Sequence, residues 1–327
     1  MEFGLMLVGV ELMRLRDLAQ TAQALGFDLL TFPDHLLLEQ PGGNYDPRAL
    51  RHDPFVSAAV AAEATTKIKL GHLVLCNPFR HPAITAQALA SLDHLSGGRL
   101  IAGLGAGWTA REFAMFGLSF APAPARLRML DESLTVMRSL WSGEATTFAG
   151  EFYHLREAIL WPAPAQKPHP PILVGGSGRG LLRVAAKHAD IVNIIVELGR
   201  VGRMTTETID KLTAERFTDK VRFVREQARQ AGRDPGALAI SNSIFAARLV
   251  DSPAAARKEA AAIAGAIKSN AAAVLASPLF LIGTPEEAAA ELSRRARQWG
   301  VSQFVFGGMD EATTRRLAEQ VLAPLRA

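Results

Sequence analysis

Two kinds of residue in this chain of 327 residues are placed to do chemistry. The first is an acid beside a base, Asp34-His35, at the end of the apolar run "DLLTFPD". Such a pair can orient a ligand, donate a hydrogen bond or move a proton near neutral pH. The second is bare backbone. "GLGAG" (Gly103 to Gly107) and "VGGSGRG" (Val174 to Gly180) both stand where an apolar run gives way to a helical rhythm. Main-chain N–H groups at such a junction face the positive end of a helix, which suits a phosphate or carboxylate. The spacing is neither the G-x-G-x-x-G of a first βα unit nor a P-loop, since no Lys-Ser/Thr follows. Two such runs in one chain favour a ligand with an anionic tail.

Other reactive residues read more blandly. His72, His81 and His94 match no tetrahedral ligand spacing, so no metal is expected. Cys76 is the only cysteine; it closes an apolar run and reads as a small buried filler, and it excludes an internal disulfide. Trp108 could stack on a ligand or sit at the edge of the core. Arg111 and Glu112 read as a pair on a solvated helix face.

The elements that must position these residues alternate almost from end to end. Eight strand candidates begin at Phe3, Asp28, Ile68, Leu100, Ile172, Ile191, Leu238 and Gln303, and most are apolar on both faces, as a strand covered by helices must be. Helical stretches lie between them, several opening on proline and several closing near glycine. Eight strand–helix units without a linker predict a single α/β domain over residues 1–327, a (β/α)8 TIM barrel. A doubly wound open sheet is the alternative. Insertions at about 109–170 and 247–300, placed in βα connections, are expected over the carboxyl end of the barrel, where ligands bind. Asp34-His35, His72-Leu73-Val74, Gly105 to Trp108 and Gly175-Gly176-Ser177 then all fall at strand ends facing that mouth.

Composition narrows the partners. Hydrophobic residues at 49% and charged residues at 21% exclude a disordered chain. The net charge is only +4, with Lys and Arg scattered, so no nucleic-acid footprint is present and a small anionic ligand fits better. Glu2 stands where a signal peptide would want positive charge, and the first apolar run is too short to span a membrane. A cytoplasmic protein is expected, and a homodimer would cover any helix face more apolar than one barrel needs.

Taken in order, "DLLTFPDHL", the block from Ile68 to Gly117, "RLRMLDESLTVMRSLWSGEATTFAGEFYHL", "PHPPILVGGSGRGLLRVAAKHADIVN" and "LIGTPEEAAAELSRRARQWGVSQFVF" resemble the luciferase-like monooxygenase superfamily, and within it the branch that uses the deazaflavin coenzyme F420. The resemblance implies a (β/α)8 barrel with the cofactor across its C-terminal mouth. Gly175, Gly176 and Ser177 would hold its phosphate, and Gly105, Ala106 and Gly107 would line the ring pocket with His72. A non-proline cis peptide between Leu73 and Val74 would bulge behind the ring, and Asp34-His35 would lie beside it, His35 handling a proton or orienting the substrate. Arg48, Arg51, Arg179 and Arg183 are candidates for a basic rim facing the polyglutamate tail of F420.

Two positions depart from the F420 dehydrogenases of alcohols and sugar phosphates. Their tryptophan after the Asp-His pair is Leu38 or Glu39 here, and their glutamate after the fourth-strand glycines is Trp108. Alcohol or sugar-phosphate oxidation is therefore not implied. The expected activity is hydride transfer between F420 and an organic substrate. The alternatives are an FMN-dependent monooxygenase fed by a separate reductase, and a flavin-binding protein without catalysis.

Overall fold

The computed structural model describes residues 1–37, 45–195 and 213–326. Eight parallel strands form its centre: β1 (Glu2–Met6), β2 (Leu29–Phe32), β3 (Lys69–His72), β4 (Leu100–Gly105), β5 (Ile172–Gly176), β6 (Ile191–Ile194), β7 (Ala239–Ile244) and β8 (Val301–Phe306). Each pairs with its sequence neighbours, β1 pairs with β8, and β3 pairs with β4 through Leu70–Leu100 and Gly71–Ile101, so the ring is closed. Closure leaves no open edge, which excludes the doubly wound sheet and confirms the (β/α)8 barrel.

Strand parity sorts the core into two clusters. Leu30, Leu70, Ala102, Ile172, Val192, Ile240 and Phe304 point outward into the layer shared with the helices. Leu29, Ile101, Leu173, Ile191 and Val305 point inward and fill the barrel floor. Successive strand side chains face opposite sides, so strands apolar at nearly every position serve both cores.

The helices are α1 (Leu12–Ala24), α2 (Pro54–Ala64), α3 (Pro82–Leu95), α4 (Ala110–Met115), α5 (Ala123–Leu140), α6 (Arg179–His188), α7 (Ala214–Gln230), α8 (Pro253–Ala266), α9 (Ala271–Ala276), α10 (Pro285–Trp299) and α11 (Glu311–Leu317). Local chemistry sets their ends. Asp53 caps α2 by accepting from Phe55 N and Val56 N, while Thr284 and Glu287 form a reciprocal capping box at α10. Gly300 closes α10 at φ 66°, a left-handed conformation that glycine adopts without a Cβ clash.

The first insertion corrects an expectation. Only its beginning, with α4, lies in a βα connection. The antiparallel hairpin Thr146–Ala149 with His154–Ala158 follows α5, and the proline-rich run after it packs at the opposite end of the barrel. There Gln166 hydrogen-bonds Asp93 near the end of α3 and the Leu100 carbonyl at the start of β4. Residues 142–170 thus form an αβ connection whose proline-rich part braces the amino end, while the hairpin tip runs back along α5 to Glu132 and to His81 at the start of α3. In the second stretch, the chain between β7 and α10 carries further elements. In it the strand Ala246–Leu249 pairs in parallel with Phe280–Gly283, and α8 and α9 lie between them. Arg295, only 2% exposed, pins this unit through the Asn242 side chain and the carbonyls of Pro278 and Phe280.

Candidate active site

The mouth is built from short segments that carry little side chain of their own. One wall of the barrel interior is stripped to glycine. A Cβ on Gly103 would stand 1.7 Å from the His72 carbonyl oxygen; on Gly105 it would stand 2.6 Å from Val74 Cγ2, and on Gly175 2.8 Å from Val74 Cγ1. The space belongs to the His72 to Val74 segment, with Val74 against both Gly105 of β4 and Gly175 of β5; the Leu73-Val74 peptide bond is cis. The facing strands β6 and β7 line the interior with polar groups instead: Asn193 donates to Ser241 Oγ at 2.9 Å and accepts from Ser243 Oγ at 3.1 Å.

The end of β2 carries the Asp-His pair, and the two residues have different tasks. Asp34 is 3% exposed and its carboxylate is fully engaged. It accepts from Cys76 N at 2.9 Å and from both terminal nitrogens of Arg80, at 2.6 and 3.2 Å. Arg80 also reaches Asp53 at 3.1 Å and lies over the Phe55 ring. Two carboxylates and one guanidinium therefore tie the ends of β2 and β3 to the start of α2. His35 is free of that network. Its Nδ1 lies 3.3 Å from Glu112 Oε2, and its ring meets Trp108 edge-on at 5.7 Å.

Glu112 overturns its reading as a solvated partner of Arg111. It is 2% exposed, and its second oxygen accepts from Leu36 N and, at 2.8 Å, Leu37 N. A carboxylate on α4 thus holds the turn that presents His35. Nothing local signals this, because 75 residues separate the partners; only the ends of β2 and β4, on either side of β3, bring them together.

The other predicted residues fall as follows. Gly105, Ala106, Gly107 and Trp108 follow one another at the end of β4. The Ala106 carbonyl accepts from buried Arg126 at 3.2 Å, and Gly107, at φ 74°, leaves no room for a Cβ beside Cys76 Sγ and Phe113. His72 is not brought to the others. Its ring faces outward, 5.1 Å from Phe55, and complete burial drives its pKa down to about 4, so it is neutral. Only its backbone approaches the interior wall. Cys76 is buried, and desolvation, reinforced by Asp34 and Glu112, pushes its thiol far above the ordinary range. It has no thiolate to offer. Leu38 and Glu39 lie outside the described residues.

After β5 the glycines divide their labour. Gly175 makes room for Val74, and a Cβ on Gly180 would collide with Leu127, so that glycine serves the α5–α6 contact. Gly176 has φ 150° and Gly178, the N-cap of α6, faces open space. Ser177 between them is 3% exposed, and its Oγ has no hydrogen-bond partner among the described residues. Asn77 Nδ2 and Thr109 Oγ1, just beyond β3 and β4, are buried in the same condition. A buried polar group without a partner costs about 1–3 kcal/mol. Three of them around one mouth fit a polar ligand with an anionic end, as a flavin or deazaflavin nucleotide would be.

The sequence model of the luciferase-like monooxygenases matches residues 1–303. The chain belongs to this family. Among curated relatives, an F420-dependent glucose-6-phosphate dehydrogenase of Microbacterium testaceum is 33% identical over 196 residues, which is 60% of this chain and 55% of that protein. The chain therefore spans about half the length of that relative. Two solved luciferase-like folds cover the chain completely: an F420-dependent secondary alcohol dehydrogenase in complex with an F420-acetone adduct (TM-score 0.76, 21% identity, 99% of that chain) and a monooxygenase from Streptomyces bottropensis (TM-score 0.72, 26% identity, 100% of that chain). Among the described residues no helix is long and apolar enough to cross a membrane, and no group of three or more His, Cys, Asp or Glu could hold a metal. A cleft of about 530 Å³ between α1 and the end of β8 adjoins the mouth at Val8 and Gly9 but does not include His35.

Proposed function

We propose that the protein is an F420-dependent oxidoreductase that moves a hydride between the deazaflavin and an organic substrate at the barrel mouth. The carrying observation is the wall of Gly103, Gly105 and Gly175, whose space is taken by the His72 backbone and Val74, with buried polar atoms that have no partner among the described residues around the same mouth. The likeness to F420-dependent glucose-6-phosphate dehydrogenases supports the choice of cofactor.

When bound, the deazaflavin supplies the hydride acceptor or donor. The chain's own residues do the rest. Val74 and the glycine wall support the ring, while Gly176, Ser177 and the α6 amides take the phosphate. Glu112 accepts the Nδ1 proton of His35 and so fixes the tautomer, leaving Nε2 to accept or return the substrate's proton. Trp108 bounds His35 on one side and offers an apolar face where the alcohol and sugar-phosphate dehydrogenases carry an acid. Asp34, spent on Arg80 and Cys76 N, positions the turn and does not react. The substrate is accordingly an organic molecule that needs no second carboxylic acid beside the ring.

Trp108 and the 26% identical monooxygenase favour one other reading, an FMN-dependent monooxygenase fed by a separate reductase. A cytoplasmic location and a homodimer complete the proposal. Side-by-side fluorescence titration with F420 and FMN, each oxidised and reduced, tests it. Saturable F420 binding with weak FMN binding is expected; tight reduced FMN without F420 would establish the monooxygenase.

A further inference from the structure

The cleft of about 530 Å³ stands between α1 and the segment that leads from β8 into α11. Along α1 its lining runs Glu11, Arg14, Leu18, Ala22 and Leu25, steps of three or four that make one helix face. At about 1.5 Å per residue that face is about 21 Å long. The charged residues of the lining, Glu11, Arg14 and Glu311, are exposed, whereas Leu18, Leu25 and Met309 are half-buried and Ala22 is buried. The cleft is therefore a long groove with an apolar floor and charges at its rim. Apolar side chains that border empty space forgo the contacts a packed neighbour would give.

The groove also communicates with the mouth. A pocket of about 40 Å³ at the ends of β1 and β2 is lined by His35 and His52, and it shares Leu7, Val8, Gly9, Val10 and Leu50 with the groove. Gly9, at that junction, has φ 68°, and a Cβ there would meet nothing nearer than the Leu50 carbonyl oxygen at 3.8 Å. The pocket has room for a small group only. It holds the imidazole to which the proposed chemistry assigns proton transfer, and His52 Nε2 is buried without a partner among the described residues.

We propose that the groove between α1 and the end of β8 binds an elongated apolar part of the substrate, whose small polar head enters the pocket of His35 and His52. The inference rests on the F420 reading only for what becomes of the head. Lying against α1, outside the ring of strands, the groove is distinct from the place given to the cofactor. A substrate charged along its length gains nothing from Leu18, Leu25 and Met309; an apolar chain does.

Displacement of a fluorescent chain tests this without any cofactor. Bound cis-parinaric acid is displaced by straight-chain primary alcohols of increasing length, used as ligands rather than as reactants. Each methylene that enters the groove is expected to tighten binding about two- to fourfold, until the chain outruns the groove and the gain stops. Leu18→Trp obstructs the middle of the groove, so the gain should stop about half as far along the series. Met309→Trp, from the opposite wall, is read in the same way should Leu18→Trp not fold. His52→Leu should weaken every length by one common factor, about two- to tenfold, because it removes a contact to the head alone. Affinity independent of chain length, a wild-type length limit in the tryptophan variant, or unchanged affinity in His52→Leu would overturn the proposal. F420 binding by wild type without a chain-length dependence keeps the F420 reading and overturns the groove. A chain-length dependence without F420 binding does the reverse.

Discussion

Replacing Glu112 tests the central claim about the mouth, that a buried carboxylate on α4 holds the turn presenting His35. Alanine removes the acceptor of Leu36 N and Leu37 N together with the contact to His35 Nδ1. Each orphaned buried amide costs about 1–3 kcal/mol. Leu37 is buried and Leu36 half-buried, so water can repair part of the loss at Leu36 and the sum is about 2–4 kcal/mol. At about 2 °C per kcal/mol for a chain of this size, Glu112→Ala should melt about 4–8 °C below wild type. Glutamine keeps the shape and one acceptor oxygen but loses the charge, which makes such bonds about twice as strong, so roughly half the effect should remain. Scanning calorimetry of the three proteins at pH 7 gives the order wild type, Gln, Ala. An alanine variant within about 1 °C of wild type would refute the reasoning, because the turn would then be held by something other than this carboxylate.

Three further perturbations probe the frame. Gly105→Ala puts a Cβ 2.6 Å from Val74 Cγ2 and should cost about 1–3 kcal/mol by denaturant melts, with Val74→Ala in the same chain restoring most of it; no rescue would mean that the strain lies elsewhere. Arg80→Met strands the buried Asp34 carboxylate; since Arg80 is partly exposed, a loss of about 2–3 kcal/mol is expected, and adding Asp34→Asn should recover part of it. The pH dependence should carry the mark of His72. Its pKa is about 4 when folded, against an ordinary 6.5, so the unfolded chain binds the extra proton between these values. Stability is then full above pH 6.5 and falls by about 3 kcal/mol as the pH drops to 4, whereas His72→Phe should lose that slope; an unchanged slope in the variant would clear His72 of the role.

Much of this architecture was legible without coordinates, because its signals are local. Strand and helix rhythms depend on neighbours two to four residues apart, and runs apolar on both faces belong only to a covered parallel sheet. The proline starts and the glycine stop at Gly300 are likewise readable within a turn of chain. So were the ring of eight strands, the glycine runs at strand ends and the position of His35. The tertiary structure decided what those residues do. The mouth is held by contacts between segments far apart in sequence: Glu112 of α4 with the turn after β2, and Arg80 with Asp34. Charge, burial and orphaned hydrogen-bonding atoms are properties of such meetings, and no single segment contains them. Strand parity likewise turned His72 outward although it lies beside Leu73 and Val74 in sequence, and it was the order of elements, α5 before the hairpin, that took the proline-rich run to the far end of the barrel.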